Sequence, residues 1–148
     1  MDQRQYDSIV SDLAPDLAIS RDNVSEAMMN QPEKYVHYAL AYQRAVKHCK
    51  LLEFRLEEVE ASIDRWLVKR FNKVTEKMLR TACLTRDNYK QMKRELIDAE
   101  DRRDSLESIV RAMEHRKDML VNFGATVREE IRLTSGGDHV NKTSSRNR

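Results

Sequence analysis

The chain has few residues that turn or break a backbone. It has three Gly and two Pro in 148 residues, and none of them lies between Glu33 and Phe123. A sandwich or barrel needs a turn signal roughly every ten residues, so an interval this long without one argues against a sheet protein. Cysteine is also scarce. Cys49 and Cys83 lie far apart and neither sits in a CxxC, which excludes a disulfide framework. His37 and His48 are eleven positions apart, with Cys49 beside the second, and these are too few converging ligands for a metal. No Gly-rich phosphate loop, nucleophile motif or paired-carboxylate motif occurs, so neither an enzyme nor a cofactor is expected. No apolar run approaches the ~18 residues of a membrane span. The opening MDQRQYDSIVSDL lacks the basic-then-apolar order of a secretory leader, and the cytoplasm is the expected compartment.

What remains is charge and periodicity. Asp, Glu, Lys and Arg make up 35% of the chain and aromatics 6%, a balance that suits a helical, heavily solvated protein of one domain. Three zones are expected. Residues 1–32 are acidic and broken by Pro15 and Pro32. Two short helices fit there, one around Tyr6, Ile9, Val10 and Leu13 and one around Val24, Met28 and Met29. Ser20 or Asp22 is placed to cap the second, and Pro32 to open the next helix. Residues 33–133 form the body, and TSGGDHVNKTSSRNR, residues 134–148, reads as a disordered tail.

The body begins with an unbroken heptad seam: Tyr35, Tyr38, Tyr42, Ala45, Cys49, Leu52, Leu56, Val59, Ile63 and Trp66, at alternating steps of three and four. That spacing predicts a helix of about 48 Å packed in coiled-coil manner. The apolar spacing continues through Leu67, Phe71, Val74 and Met78 after a step of four, which reads as a stutter. A second helix is predicted from about Asp87 to Leu133. Its seam is Tyr89, Met92, Leu96, Ala99, Leu106, Val110, Met113, Leu120, Val127 and Ile131, interrupted at Arg103 and Lys117 and weakened at Gly124. TACLTRDN, residues 81–88, is the predicted turn, with Thr85 or Asp87 as cap. The expected fold is all-α: a long antiparallel helical hairpin with short N-terminal helices. Leu51, Ile97, Ile109, Met119, Val121 and Phe123 widen the apolar face, and a wide face suits packing among several helices, hence a homo-oligomer.

The net charge of +2 hides a segregation. Residues 53–64 carry Glu53, Glu57, Glu58, Glu60 and Asp64 against Arg55, and residues 95–107 carry six acids against Arg102 and Arg103. Between them, residues 65–94 carry ten Lys/Arg against Glu76 and Asp87. In a hairpin the two acidic blocks become neighbours on the shaft and the basic block becomes the tip. Like charge gathered at one end costs self-repulsion unless an anion binds there. Basic side chains that follow a backbone, interleaved with aromatic faces, suit sequence-tolerant binding of single-stranded DNA. The candidate contacts are Arg65, Lys69, Arg70, Lys73, Lys77, Arg80, Arg86 and Lys90, and the candidates for base stacking are Trp66, Phe71 and Tyr89. A membrane surface would need a strong apolar face beside the charge, and none accompanies it.

The order of these features resembles the UvsY-type recombination mediator family of tailed phages. The resemblance spans roughly residues 5–133. It rests on DLAISRDNVSEAMMNQPEKY with its NQP before the long helix, ASIDRW near that helix's end, TE opening the next segment, and RAMEHRKDML in the last helix. It implies a ring-like homo-oligomer that binds single-stranded DNA, contacts the phage single-strand-binding protein and recombinase, and helps load the recombinase during recombination and repair. By position it places the DNA contacts at Arg65, Lys69, Arg70 and Lys73, inside an infected bacterial cell. The Tyr-Tyr-Ser-Gly turn of that family's best-known member is absent, and LVKRFNKVTEK stands in its place. Two other readings fit the same helices: a scaffolding coiled-coil oligomer that touches no nucleic acid, and a ring subunit of a DNA-packaging machine that binds duplex.

Overall fold

A computed structural model describes residues 3–143 and is all-helical among them. The elements are α1 (Gln3–Leu17), α2 (Val24–Arg70), α3 (Glu76–Thr85) and α4 (Asp87–Thr143). Helices α2 and α4 run antiparallel and form the shaft. Their register is fixed by Gln31, which donates to the Met113 carbonyl at 2.7 Å, and by Tyr89, which donates to Glu60 at 2.9 Å.

The heptad seam of α2 becomes its core face. Tyr38, Ala45, Cys49, Leu52 and Leu56 are buried against Leu96, Ala99, Leu106 and Met113 of α4, and Ile63 is buried at the far end of the hairpin. Ala41 is buried, while Tyr42 beside it is only partly covered. At the stutter the core takes Leu67 and leaves Trp66 exposed. A step of four from Ile63 keeps Leu67 on the inner face, as the packing of an undistorted 3.6-residue helix requires.

Three expectations at the N-terminal end are corrected. Only one short helix, α1, precedes the shaft. The second expected helix is the first two turns of α2, which runs through Pro32 without ending. Pro32 lacks the N–H that would bond the Met28 carbonyl, a loss interior prolines ordinarily turn into a helix end. Here the flanking turns are held from outside: Val24 and Ala27 pack on Leu120, and Gln31 binds across to α4. The residue at the start of α2 is Asn23, not Ser20 or Asp22. Its Oδ1 accepts from the Ser20 N–H at 2.8 Å and closes a turn, rather than capping the helix.

The far end of the hairpin also differs from expectation. Helix α2 stops at Arg70, where Phe71 is extended (φ −127°, ψ 136°), and the apolar spacing beyond it belongs to other elements. Thr75 caps α3, its hydroxyl accepting from the Met78 N–H, with Glu76 in the first turn to complement the helix dipole. Residues 81–88 hold the end of α3 and a single extended residue, Arg86 (φ −94°, ψ 126°), before α4 starts at Asp87. Neither Thr85 nor Asp87 is the residue that opens onto α4: Thr85 is the last residue of α3 and Asp87 is already the first of α4. Thr85 donates its hydroxyl back to Ala82 O, and Arg86 supplies the carbonyl that the Lys90 N–H reaches. The hairpin therefore ends in a short folded cap. Ile63 and Leu67 of α2 meet Cys83 of α3, with Val74, Leu79 and Tyr89 packed around them.

Helix α4 continues past Leu133 to Thr143, so the helix covers much of the segment expected to be a disordered tail; residues 144–148 lie outside the described residues. Gly124 does not interrupt it. An added Cβ there would stand 3.3 Å from Met28 Sδ, so glycine leaves room for the end of the Met28 side chain against α4.

Candidate nucleic-acid interface

The cap gathers the basic residues from three helices and the two segments that join them. Arg65, Lys69 and Arg70 come from the last turns of α2, where cations also complement the helix C-terminus. Lys73 comes from the connecting loop, and Lys77 and Arg80 from α3. Arg86 stands at the joint, and Lys90 on the first turn of α4. All are exposed except Arg86, which is half-buried. Among the described residues no carboxylate lies within ion-pair distance of Arg65, Lys69, Lys73, Lys77 or Arg80, whereas Lys90 pairs with Asp87 at 3.3 Å. Lys93 and Arg94, exposed on the next turn of α4, were missing from the contact residues read from sequence although they belong to the same basic block.

The register changes the expected charge map. Because Glu60 meets Tyr89 and Leu56 packs near Leu96, the acidic block of α2 lies beside the basic start of α4, not beside the acidic block of α4. That second block faces the part of α2 carrying Arg44, Lys47 and Lys50. The shaft is therefore mixed in charge. The strongly positive surface contracts to residues 65–86, where Glu76 is the only acid among seven cations.

The three aromatics have different places. Tyr89 is a packing residue: its ring lies between the cap and shaft clusters and its hydroxyl donates to Glu60. Burial, and then that bond, push its pKa up to about 12. Phe71 is exposed at the end of α2. Trp66 is 42% exposed, with the Arg70 guanidinium carbon 4.8 Å and that of Arg86 5.2 Å from its ring centre.

The opposite end of the shaft treats charge differently. There α1 lays Tyr6, Ile9, Leu13 and Leu17 on the Tyr38–Leu106–Met113 cluster. Tyr38, fully buried, donates to Asp16 at 2.8 Å, and Lys34 pairs with the other oxygen of the same carboxylate at 2.8 Å. Burial alone would raise the Asp16 pKa, but the bonds from Lys34 and Tyr38 and the charges of Lys34 and Arg116 outweigh it and hold the carboxyl below its ordinary value. Arg116, only 3% exposed, occupies the seam position that sequence spacing assigned to Lys117, and donates to Gln31. Burial pulls its pKa down, opposed by Asp16. The signal for this site was the charge break between Met113 and Leu120.

Both cysteines are buried, and burial pushes both thiols up from their ordinary range. Among the described residues no helix is long and apolar enough to cross a membrane, and no group of His, Cys, Asp and Glu could hold a metal ion. One apolar feature is left over. Met29, Val36, Leu40, Leu51 and Phe54 are exposed and, at 100° per residue, fall on the side of α2 turned away from the core. Of the residues expected to widen the apolar face, Ile109 is buried and Phe123 half-buried, while Leu51, Ile97, Met119 and Val121 remain exposed. No family model matches this sequence, and no curated protein and no solved structure matches it.

Proposed function

We propose that this protein is a non-enzymatic accessory factor that binds single-stranded DNA through its basic cap and acts as a recombination mediator, helping a recombinase onto DNA covered by single-strand-binding protein. The observation that carries the binding reading is the set of exposed cations from α2, the loop and α3 that converge on one end without carboxylate partners. An end built this way repels itself and is relieved by a polyanion. The resemblance to UvsY-type mediators supplies the setting of phage recombination. The outer apolar stripe of α2 supports self-association, which would bring several caps to one strand and raise its effective affinity.

A scaffolding oligomer is the second reading, favoured by the same outer stripe, but it leaves the unpaired cations of the cap without a role. Fluorescence anisotropy of labelled single- and double-stranded oligonucleotides separates the readings. Single strands are expected to bind more tightly, with log affinity falling by about 0.7 per neutralised phosphate for each unit of log salt. Preference for duplex would favour the packaging-ring reading. No binding of either form at low salt would leave the scaffold.

A further inference from the structure

The cap contains a smaller and more specific arrangement than a field of positive charge. Arg70 closes α2, and Arg86 is the single extended residue between α3 and α4. The two are sixteen positions apart in sequence, yet both guanidiniums lie over one indole, at 4.8 and 5.2 Å from its centre. That indole sits at a position whose spacing would allow burial. The core takes Leu67 instead, and Trp66 stays 42% exposed. Two like charges held against one ring repel each other, and an anion within reach of both relieves that repulsion. A guanidinium offers a planar fork of donors that matches a phosphate and also stacks on aromatic faces. A cation–π contact at an exposed site is weaker than the stacking of a base on an aromatic side chain, so a base can displace it.

Resting on the single-strand reading above, we propose that Trp66, Arg70 and Arg86 form one composite subsite for a single nucleotide unit, in which the base stacks on the indole and the two guanidiniums leave the ring to hold the adjacent phosphate. The free protein thus holds its own phosphate-binding groups against its stacking surface. One nucleotide exchanges both contacts together. Lys69 and Lys73, on either side in the chain, extend the phosphate track and need no base.

Trp66 is the protein's only tryptophan, so its fluorescence reports on this subsite alone. The test titrates the full chain with an oligothymidylate and with an abasic strand of equal length. Anisotropy of the labelled strand and tryptophan emission are followed in parallel. Oligothymidylate is expected to quench or shift the emission as anisotropy rises, and the abasic strand to bind with a much smaller change. Trp66→Ala should weaken oligothymidylate binding about 5- to 100-fold and leave abasic binding within about twofold. Trp66→Phe, which keeps an aromatic face, should recover most of the loss. Arg70→Gln with Arg86→Gln should weaken both strands. A merely structural role for Trp66 would weaken both strands equally, and that result overturns the proposal. Saturated oligothymidylate binding with unchanged wild-type emission also overturns the subsite, while leaving the single-strand reading standing. Absence of any anisotropy change with the wild type would overturn both. The wild-type emission needs no variant, so the proposal stays falsifiable even if Trp66→Ala folds poorly.

Discussion

The two ends of the shaft handle charge in opposite ways. At the α1 end, ionisable groups are drawn inward: Asp16 is matched by Tyr38 and Lys34, and Arg116 is buried on Gln31 near the same carboxylate, with its Nε left without a hydrogen-bond partner. At the cap, cations face outward without carboxylates, over a small cluster of Ile63, Leu67 and Cys83. A buried charge with matched partners fixes one arrangement of helices and becomes costly if a partner is lost. An exposed charge without a carboxylate partner adds little to the fold and is available to a ligand. Perturbing the first end should therefore cost stability with little effect on binding. Perturbing the second should do the reverse.

The largest stability effect is expected from Tyr38→Ala. It empties a fully buried site and leaves Asp16 without its buried donor, and should cost about 3–5 kcal/mol in urea unfolding. Asp16→Asn should cost about 1–3 kcal/mol, since it removes the partner of Lys34 and the charge that offsets Arg116. That effect carries a pH signature. The folded-state pKa of Asp16 lies below its ordinary value of 3.8, so its stabilisation is fully present above that value and is lost as pH falls through the lowered one. Urea midpoints should therefore fall as the pH drops below the ordinary carboxylate range in the wild type, and less steeply in Asp16→Asn. An equal acid dependence in both proteins would break the matched-charge description of that end.

The smallest effect should come from Thr75→Ala at the cap. Removing the side-chain cap of α3 should cost about 0.5–2 kcal/mol locally. Amide exchange is the measurement of choice. Protection should fall in α3 while α1 and the shaft around Tyr38 stay unchanged. Loss of protection along the whole shaft would mean that the cap is not a separate cooperative unit.

How far the sequence could be read differs in the same way between the regions. The shaft was legible because its signal is a long repeat. Tyr38, Ala45, Cys49, Leu52, Leu56 and Ile63 lie where the heptad spacing puts them. The cap was legible in composition but not in shape. Apolar spacing runs on through Leu67, Phe71, Val74 and Met78, and FNKVT contains no Gly or Pro, so periodicity could not show that α2 stops at Arg70. The stop depends on Thr75 capping α3 and on α3 folding back over Ile63 and Leu67, a tertiary choice that local spacing does not encode. The insertion of α3 also moved the register, so the acidic blocks face basic stretches rather than each other. Pro32 misled for a related reason: contacts to α4 carry α2 through a residue that would end an isolated helix. Arg116 is visible in the sequence as an interruption of the seam but one place from the expected Lys117, because α4 buries Ile109 and Arg116 where the spacing names Val110 and Lys117, while Leu106, Met113 and Leu120 keep their expected places.

The central claim is that binding belongs to the cap and not to positive charge in general. The most direct measurement compares two triple variants by anisotropy with a labelled oligothymidylate at several salt concentrations. One, Lys69→Ala with Arg70→Ala and Lys73→Ala, removes cap charge. The other, Arg44→Ala with Lys47→Ala and Lys50→Ala, removes the same charge from the exposed shaft. The cap variant should lose on the order of 10- to 100-fold in affinity, and its slope of log affinity against log salt should shrink by about 2. The shaft variant should stay within about threefold of the wild type, with its slope unchanged. Equal losses in the two variants, or an intact cap variant, would contradict the account.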